Sequence, residues 1–160
     1  MLNITIIAVG KLKEQYLRDA SAEYQKRLST LCKLNIVEIN PEKLSDNPSA
    51  KEIENALNNE AKKIIEKIPK GAKVYSMCIE GKQRTSEELS AEIDALTVEG
   101  VSNIVFIIGG SFGLSDEVKK LSAYRLSMSK MTFPHQIARI MLLEQIYRAM
   151  QISLGTKYHK

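Results

Sequence analysis

The sequence predicts an α/β fold, with a mainly parallel sheet flanked by helices. Three observations carry this. Short apolar, β-branched runs alternate along the chain with longer segments of helical spacing. The run Asn103–Ile108 (NIVFII) is the most core-like, and it passes straight into a glycine turn, Gly109-Gly110-Ser111-Phe112-Gly113. Finally, Ile137, Ile140, Met141, Leu142, Leu143, Ile146 and Met150 spread around most of a helix circumference. A helix apolar on nearly all sides is buried on nearly all sides, against its own core and a second subunit.

Taken in order, Leu2–Val9 is a mostly apolar run closed by Gly10, and reads as a buried strand. From Lys11 to Leu31, Leu12, Tyr16, Ala20, Tyr24 and Leu28 recur every four residues, which predicts a helix. Lys33–Ile39 alternates as a strand does, with Leu34, Ile36 and Glu38 on one face. A loop with Pro41 and Pro48 follows, and Ser49 with Glu52 forms a capping box that opens a helix through Lys67. Pro69-Lys70-Gly71 ends that helix. Lys73–Ile79 is the third strand, left through Glu80-Gly81-Lys82.

Thr85 and Ser86 cap a helix that runs to Val98 and closes at Gly100. After the fourth strand, Ser115-Asp116-Glu117 opens a short helix to Leu121, with acidic residues suited to its dipole. An extended run, Tyr124–Ser129, leads to Phe133-Pro134 and the long helix. Pro134 suits a first helical turn, where its missing N–H is no loss. No repeat or domain-scale linker interrupts the order, so residues 1–160 are expected to form one domain. A chain with 44% hydrophobic and 26% charged residues has the composition of such a domain and needs no covalent staple.

Cys32 and Cys78 fit neither a zinc spacing nor a C-x-x-C pair, and read as small apolar groups in a reducing compartment. The opening MLNITIIAVGK has no basic region before its apolar run, so it is not a signal peptide. No apolar run approaches the roughly 18 residues of a membrane span. The expected location is the cytoplasm. The net charge of +4 is unevenly placed: Arg139, Arg148, Lys157 and Lys160 face Glu144 alone after Pro134. That pattern suits a polyanionic partner.

Ligands of a parallel sheet sit at the C-terminal ends of its strands. Three loops stand there: Glu80-Gly81-Lys82, Gly109–Gly113 and Ser127–Pro134. The glycine turn follows the fourth strand and reads GGxxG, so it is neither a dinucleotide fingerprint nor a P-loop. Ser111 lacks the G-x-S-x-G frame of a nucleophile. Two histidines far apart in sequence give no metal site. His135 and Arg139 share one helix face, and Glu144 and Arg148 share another as an expected ion pair. The chain closes on GTKYHK, an aromatic and a histidine among lysines.

Together, ITIIAVGKLK, IGGSFGL, LSMSKMTFPHQIARIMLLEQIYRA and the closing YHK resemble the ribosomal RNA large-subunit methyltransferase H family. These are small SPOUT methyltransferases that modify N3 of a pseudouridine in 23S rRNA. The resemblance spans nearly the whole chain. It implies a C-terminal trefoil knot, bound S-adenosylmethionine, a homodimer built on the last helix, and action on the assembled ribosome.

By position, the resemblance implies a cofactor site at Met77, Gly109, Gly110 and the run Ser127, Met128, Ser129, Lys130, Met131 and Thr132. N3 of pseudouridine is an imide nitrogen and must lose its proton to become a good nucleophile. That favours a nearby base, or a cation that stabilises the anion. The candidates are His135, Arg139, Glu144, Tyr158 and His159, with Arg139 and the tail lysines alternatively holding phosphates. Two other readings compete: an RNA-binding protein that has lost cofactor binding, and a flavodoxin-like or Rossmann-like nucleotide binder. The glycine turn after the fourth strand argues against the second.

Overall fold

The computed structural model describes all 160 residues. In chain order the elements are β1 (Asn3–Val9), α1 (Gln15–Leu28), β2 (Lys33–Ile39), α2 (Ala50–Glu66), β3 (Lys73–Gln83), α3 (Ser86–Val98), β4 (Asn103–Ile108), α4 (Asp116–Leu121), β5 (Tyr124–Ser127) and α5 (His135–Ser153). The five strands form one sheet in the order β2-β1-β4-β3-β5, and every pairing is parallel. Ile4 of β1 stands opposite Leu34 of β2 and Ile104 of β4.

Both faces of the sheet are covered, which explains why β1 and β4 are continuously apolar. Ile4, Ile6, Tyr75 and Phe106 pack with Leu28, Ile93 and Leu142 beneath α1, α3 and α5. Their alternate neighbours Ile7, Val9, Val105 and Ile107 pack with Ala61, Ile64 and Val118 beneath α2 and α4. The expected capping box is present, with Glu52 N–H donating to Ser49 Oγ (3.1 Å) and Ser49 N–H to Glu52 Oε1 (3.2 Å). Thr85 and Ser115 cap α3 and α4 with the side chain alone, accepting from the N–H groups of Glu88 and Val118.

Three boundaries differ from the sequence expectations. Helix α1 begins at Gln15, not Lys11. The residues before it are engaged elsewhere: Arg18 Nη1 donates to the carbonyls of Leu12 (3.0 Å) and Lys13 (2.7 Å), and Lys13 N–H donates to Gln136 Oε1 on α5 (2.8 Å). Pro134 caps α5 from outside, with an extended ψ of 134°, instead of standing in its first turn. Strand β3 runs past Ile79 to Gln83, because Leu126 pairs with both Met77 and Lys82 and the residues between bulge out of register. At that bulge a Cβ on Gly81 would lie 2.8 Å from the Arg125 carbonyl, so β3 and β5 approach as closely as only glycine allows.

The all-round burial expected of α5 is only partly met within one chain. Leu142, Leu143 and Ile146 are fully buried, whereas Ile137 is 41% exposed and Ile140, Met141 and Met150 are half-buried. No helix is long and apolar enough to cross a membrane.

Candidate active site

The three loops singled out in the sequence converge. With the first turn of α5 they enclose a cavity of about 770 Å³ at the C-terminal ends of β3, β4 and β5. Each loop has its own local cause. In the glycine turn, Gly113 N–H donates to the Gly110 carbonyl (3.1 Å), and Gly113 has φ +82°. A Cβ on Gly109 would run into the Gly113 backbone, so that position must remain bare. Gly110 is less confined, its Cβ meeting Val9 Cγ1 at 3.4 Å. In the loop after β5, Ser129 Oγ accepts from Met131 N–H and Ser127 Oγ donates to the Ser129 carbonyl, both at 3.0 Å.

The walls are mostly apolar, with Met77, Ile79, Ile108, Leu126 and Met128 prominent. The charges facing the cavity are largely compensated. Lys119 Nζ lies 2.5 Å from Glu80 Oε1, and that hydrogen bond holds the Glu80 carboxyl below its ordinary range. His135 lines the cavity from the start of α5. Burial, then the charge of Arg139, then that of Lys13 hold its imidazole below the ordinary 6.5. The ring is therefore neutral near pH 7 and able to accept a proton. Burial also raises the Cys78 thiol at the cavity wall.

Of the residues expected around a cofactor, Met77, Gly109, Gly110, Met128, Ser129, Met131 and Thr132 line this cavity. Ser127 is buried at the end of β5 and Lys130 is exposed, and neither lines it. Glu80 and Phe112, which belong to the loops singled out in the sequence, also line it, and Cys78 and Lys119 do so without having been expected. Lys119 carried no signal in the sequence.

Of the five candidates for acceptor chemistry, His135 faces the cavity. Arg139, one turn on, is 3% exposed. Its Nη1 donates to Glu38 Oε2 (2.8 Å) and its Nη2 to the Gly10 carbonyl (2.9 Å). It lines a second cavity instead.

Glu144, Tyr158 and His159 gather elsewhere. Arg148 Nε donates to Glu144 Oε1 (2.7 Å), which is the expected ion pair, and Tyr158 Oη donates to Glu144 Oε2 (2.6 Å). His159 Nε2 lies 2.5 Å from Glu87 Oε1, and its Nδ1 lies 3.2 Å from Arg148 Nη1. The Tyr158 ring packs edge-on against Tyr147 at 4.8 Å. The hydrogen bond to Glu144, then burial, pushes the Tyr158 hydroxyl up to about 12. The tail is thus fastened to α5 and α3, not frayed. None of these three residues lines the 770 Å³ cavity in the single chain.

Comparison with known proteins agrees with this architecture. A family model described as "Predicted SPOUT methyltransferase" matches residues 2–159. Proteins named ribosomal RNA large subunit methyltransferase H are close relatives. That of Clostridium acetobutylicum is 54% identical and that of Clostridium beijerinckii 55% identical, each over 99% of this chain and 100% of the relative. The one from Clostridioides difficile is 52% identical over the same shares. A solved "probable methylase family protein" from Haemophilus influenzae Rd KW20 shares the fold, with a TM-score of 0.53 over 99% of this chain and 70% of that one, at 12% identity. The chain belongs to the SPOUT methyltransferases, in the ribosomal RNA large subunit methyltransferase H family.

Proposed function

We propose that this protein methylates N3 of a pseudouridine in 23S rRNA with S-adenosylmethionine, acting as a homodimer on the assembled ribosome in the cytoplasm. The observation that carries this reading is the 770 Å³ cavity formed by three loops at the ligand end of the sheet. Its size and apolar walls suit a nucleoside-containing cofactor. The bare Gly109–Gly110 backbone lets a ligand approach the main chain closely. Met77, Gly109, Gly110, Met128, Ser129, Met131 and Thr132 are the residues that would hold it, with Ser127 and Lys130 shaping their loop. Family membership further implies that the path from β5 into α5 closes a trefoil knot, and the tight passage of Gly81 beside Arg125 accords with that.

S-adenosylmethionine supplies an activated methyl group on a sulfonium. The task left to the chain is to exclude water, orient the acceptor and take the N3 proton. His135 is our candidate for that proton, because its ring is neutral near pH 7 and faces the cavity. Arg139 supports the wall behind it through Gly10. Glu144, Tyr158 and His159 remain candidates for the acceptor side through the dimer, whose two-fold symmetry would set each cavity beside the second copy. The half-covered face of α5 is where that copy would pack.

The test is mass-spectrometric mapping of 23S rRNA after large ribosomal subunits lacking the modification are treated with the protein and S-adenosylmethionine. A methyl group on N3 of one pseudouridine is expected, with far slower transfer to naked rRNA. Transfer to a different base, or none, would overturn the substrate assignment, and equal rates on naked rRNA would remove the ribosome from it.

A further inference from the structure

The ligand end of the sheet carries a second cavity, of about 480 Å³. It lies between the loop after β1, helix α1 and strand β2, whereas the larger one lies beside β4, β3 and β5. The strand order β2-β1-β4-β3-β5 makes the β1–β4 junction the point where the chain changes direction across the sheet, and ligands of open parallel sheets gather at such a point. Gly10, which lines neither cavity, lies against a lining residue of each. Arg139 holds the Gly10 carbonyl (2.9 Å), and a Cβ on Gly10 would come within 3.9 Å of His135 Nε2.

The chemistry of the two cavities differs. The first is mostly apolar, with Glu80 and Lys119 neutralising each other. The second has only Leu12 and Ile36 as hydrophobic residues among its lining, and Lys11, Arg18 and Arg139 face a single carboxylate, Glu38. Arg139 is neutralised by that carboxylate at 2.8 Å. Arg18 is oriented by the carbonyls of Leu12 and Lys13, neither of which cancels its charge. Lys11 takes part in no ion pair. Two positive charges are left over this cavity, with Ser21 and Gln25 beside them as further hydrogen-bonding groups.

We infer that this second cavity binds a backbone phosphate of the RNA strand, next to the nucleotide that enters the first, with Lys11 and Arg18 as its cationic partners. The identity of the polyanion rests on the methyl-transfer reading above, while the affinity for phosphate does not. Such a site fixes register and carries no sequence information, which suits a target selected by its place on the ribosome.

The experiment is equilibrium binding of purified large ribosomal subunits over a KCl series, for the wild type, Lys11→Ala and Lys11→Glu. Calorimetric affinity for S-adenosylmethionine and sedimentation are measured on the same preparations. Loss of one charge-assisted phosphate contact should weaken subunit binding about tenfold. It should also reduce the slope of log K against log salt by about 0.7, the increment for one single-strand phosphate. Lys11→Glu should weaken binding further, with cofactor affinity unchanged in both variants.

Unchanged subunit affinity and salt slope in both variants would overturn the site, as would a wild type that binds no subunits. Dissociation of an oligomer on substitution would overturn it too, by naming a second copy of the chain as the occupant. A wild type that binds subunits with the expected slope but takes no S-adenosylmethionine would instead sink the methyl-transfer reading and leave the phosphate site standing.

Discussion

Arg139 and Glu38 stand 101 positions apart in the chain and meet at 2.8 Å. The pair joins helix α5 to strand β2 beside the turn that leaves β1, because the same guanidinium also holds the Gly10 carbonyl. The Arg139 side chain is 4% exposed and that of Glu38 36%, so the pair is half-open to water on the carboxylate side. Its function is geometric. It ties α5 to β2 and to the turn after β1, one helical turn beyond His135.

Replacing either member leaves the other without its partner. Arg139→Met should destabilise the fold by about 2 kcal/mol, from two lost charge-assisted hydrogen bonds at a nearly buried group. Glu38→Gln should cost about 1 kcal/mol, since its side is solvated. Urea unfolding at matched protomer concentration reads both. Equal stability of Arg139→Met and wild type would show that the node holds nothing.

His135 gives a pH dependence whose sign is fixed. Its folded pKa lies below the ordinary 6.5, so between the two values the unfolded chain binds more protons. Its contribution to stability is complete above pH 6.5 and is lost as the pH falls below that. For activity, the acid limb of kcat/KM should lie below 6.5. Arg139→Gln should move the limb upward, because Arg139 is the second cause of the depression. Kinetics between about pH 5 and 8 test this. A limb that persists unchanged in His135→Ala belongs to another group.

The two cysteines should separate chemically. Burial pushes the Cys32 thiol up to about 11, and at 2% exposure it should react with a thiol reagent only on unfolding. Cys78, at the cavity wall, should react slowly in the native protein and more slowly still with S-adenosylmethionine present. Peptide mapping after timed alkylation distinguishes them. Equal labelling of Cys78 with and without the cofactor would put the ligand elsewhere.

The core was legible because its signals are local. Ser49 and Glu52 are three residues apart and cap a helix wherever such a pair meets the right backbone, and NIVFII has no option but a doubly covered strand. The boundaries that differed depend on contacts from far along the chain. Lys11–Glu14 has helical spacing, but Gln136 and Arg18 take its backbone groups. Strand β3 continues past a turn-like Glu80-Gly81 because β5 supplies a second partner register. At the larger cavity, Met77, the glycine turn and the loop after β5 were legible, whereas the pairings made across the fold were not. Glu38 is an ordinary strand glutamate until α5 brings Arg139 to it, and Glu87 is an ordinary helix-start glutamate until the tail returns with His159.

The proposal that the larger cavity holds S-adenosylmethionine is tested most directly by calorimetric titration of the folded protein with it, comparing wild type, Gly110→Ala and Gly110→Arg. A methyl group at Gly110 meets only Val9, at 3.4 Å, so Gly110→Ala should fold, and it should bind more weakly than wild type because it covers backbone the ligand approaches. An arginine at the same position should fill the cavity and abolish binding without unfolding the chain. Wild-type affinity in a folded Gly110→Arg variant would contradict the placement of the cofactor at the glycine turn.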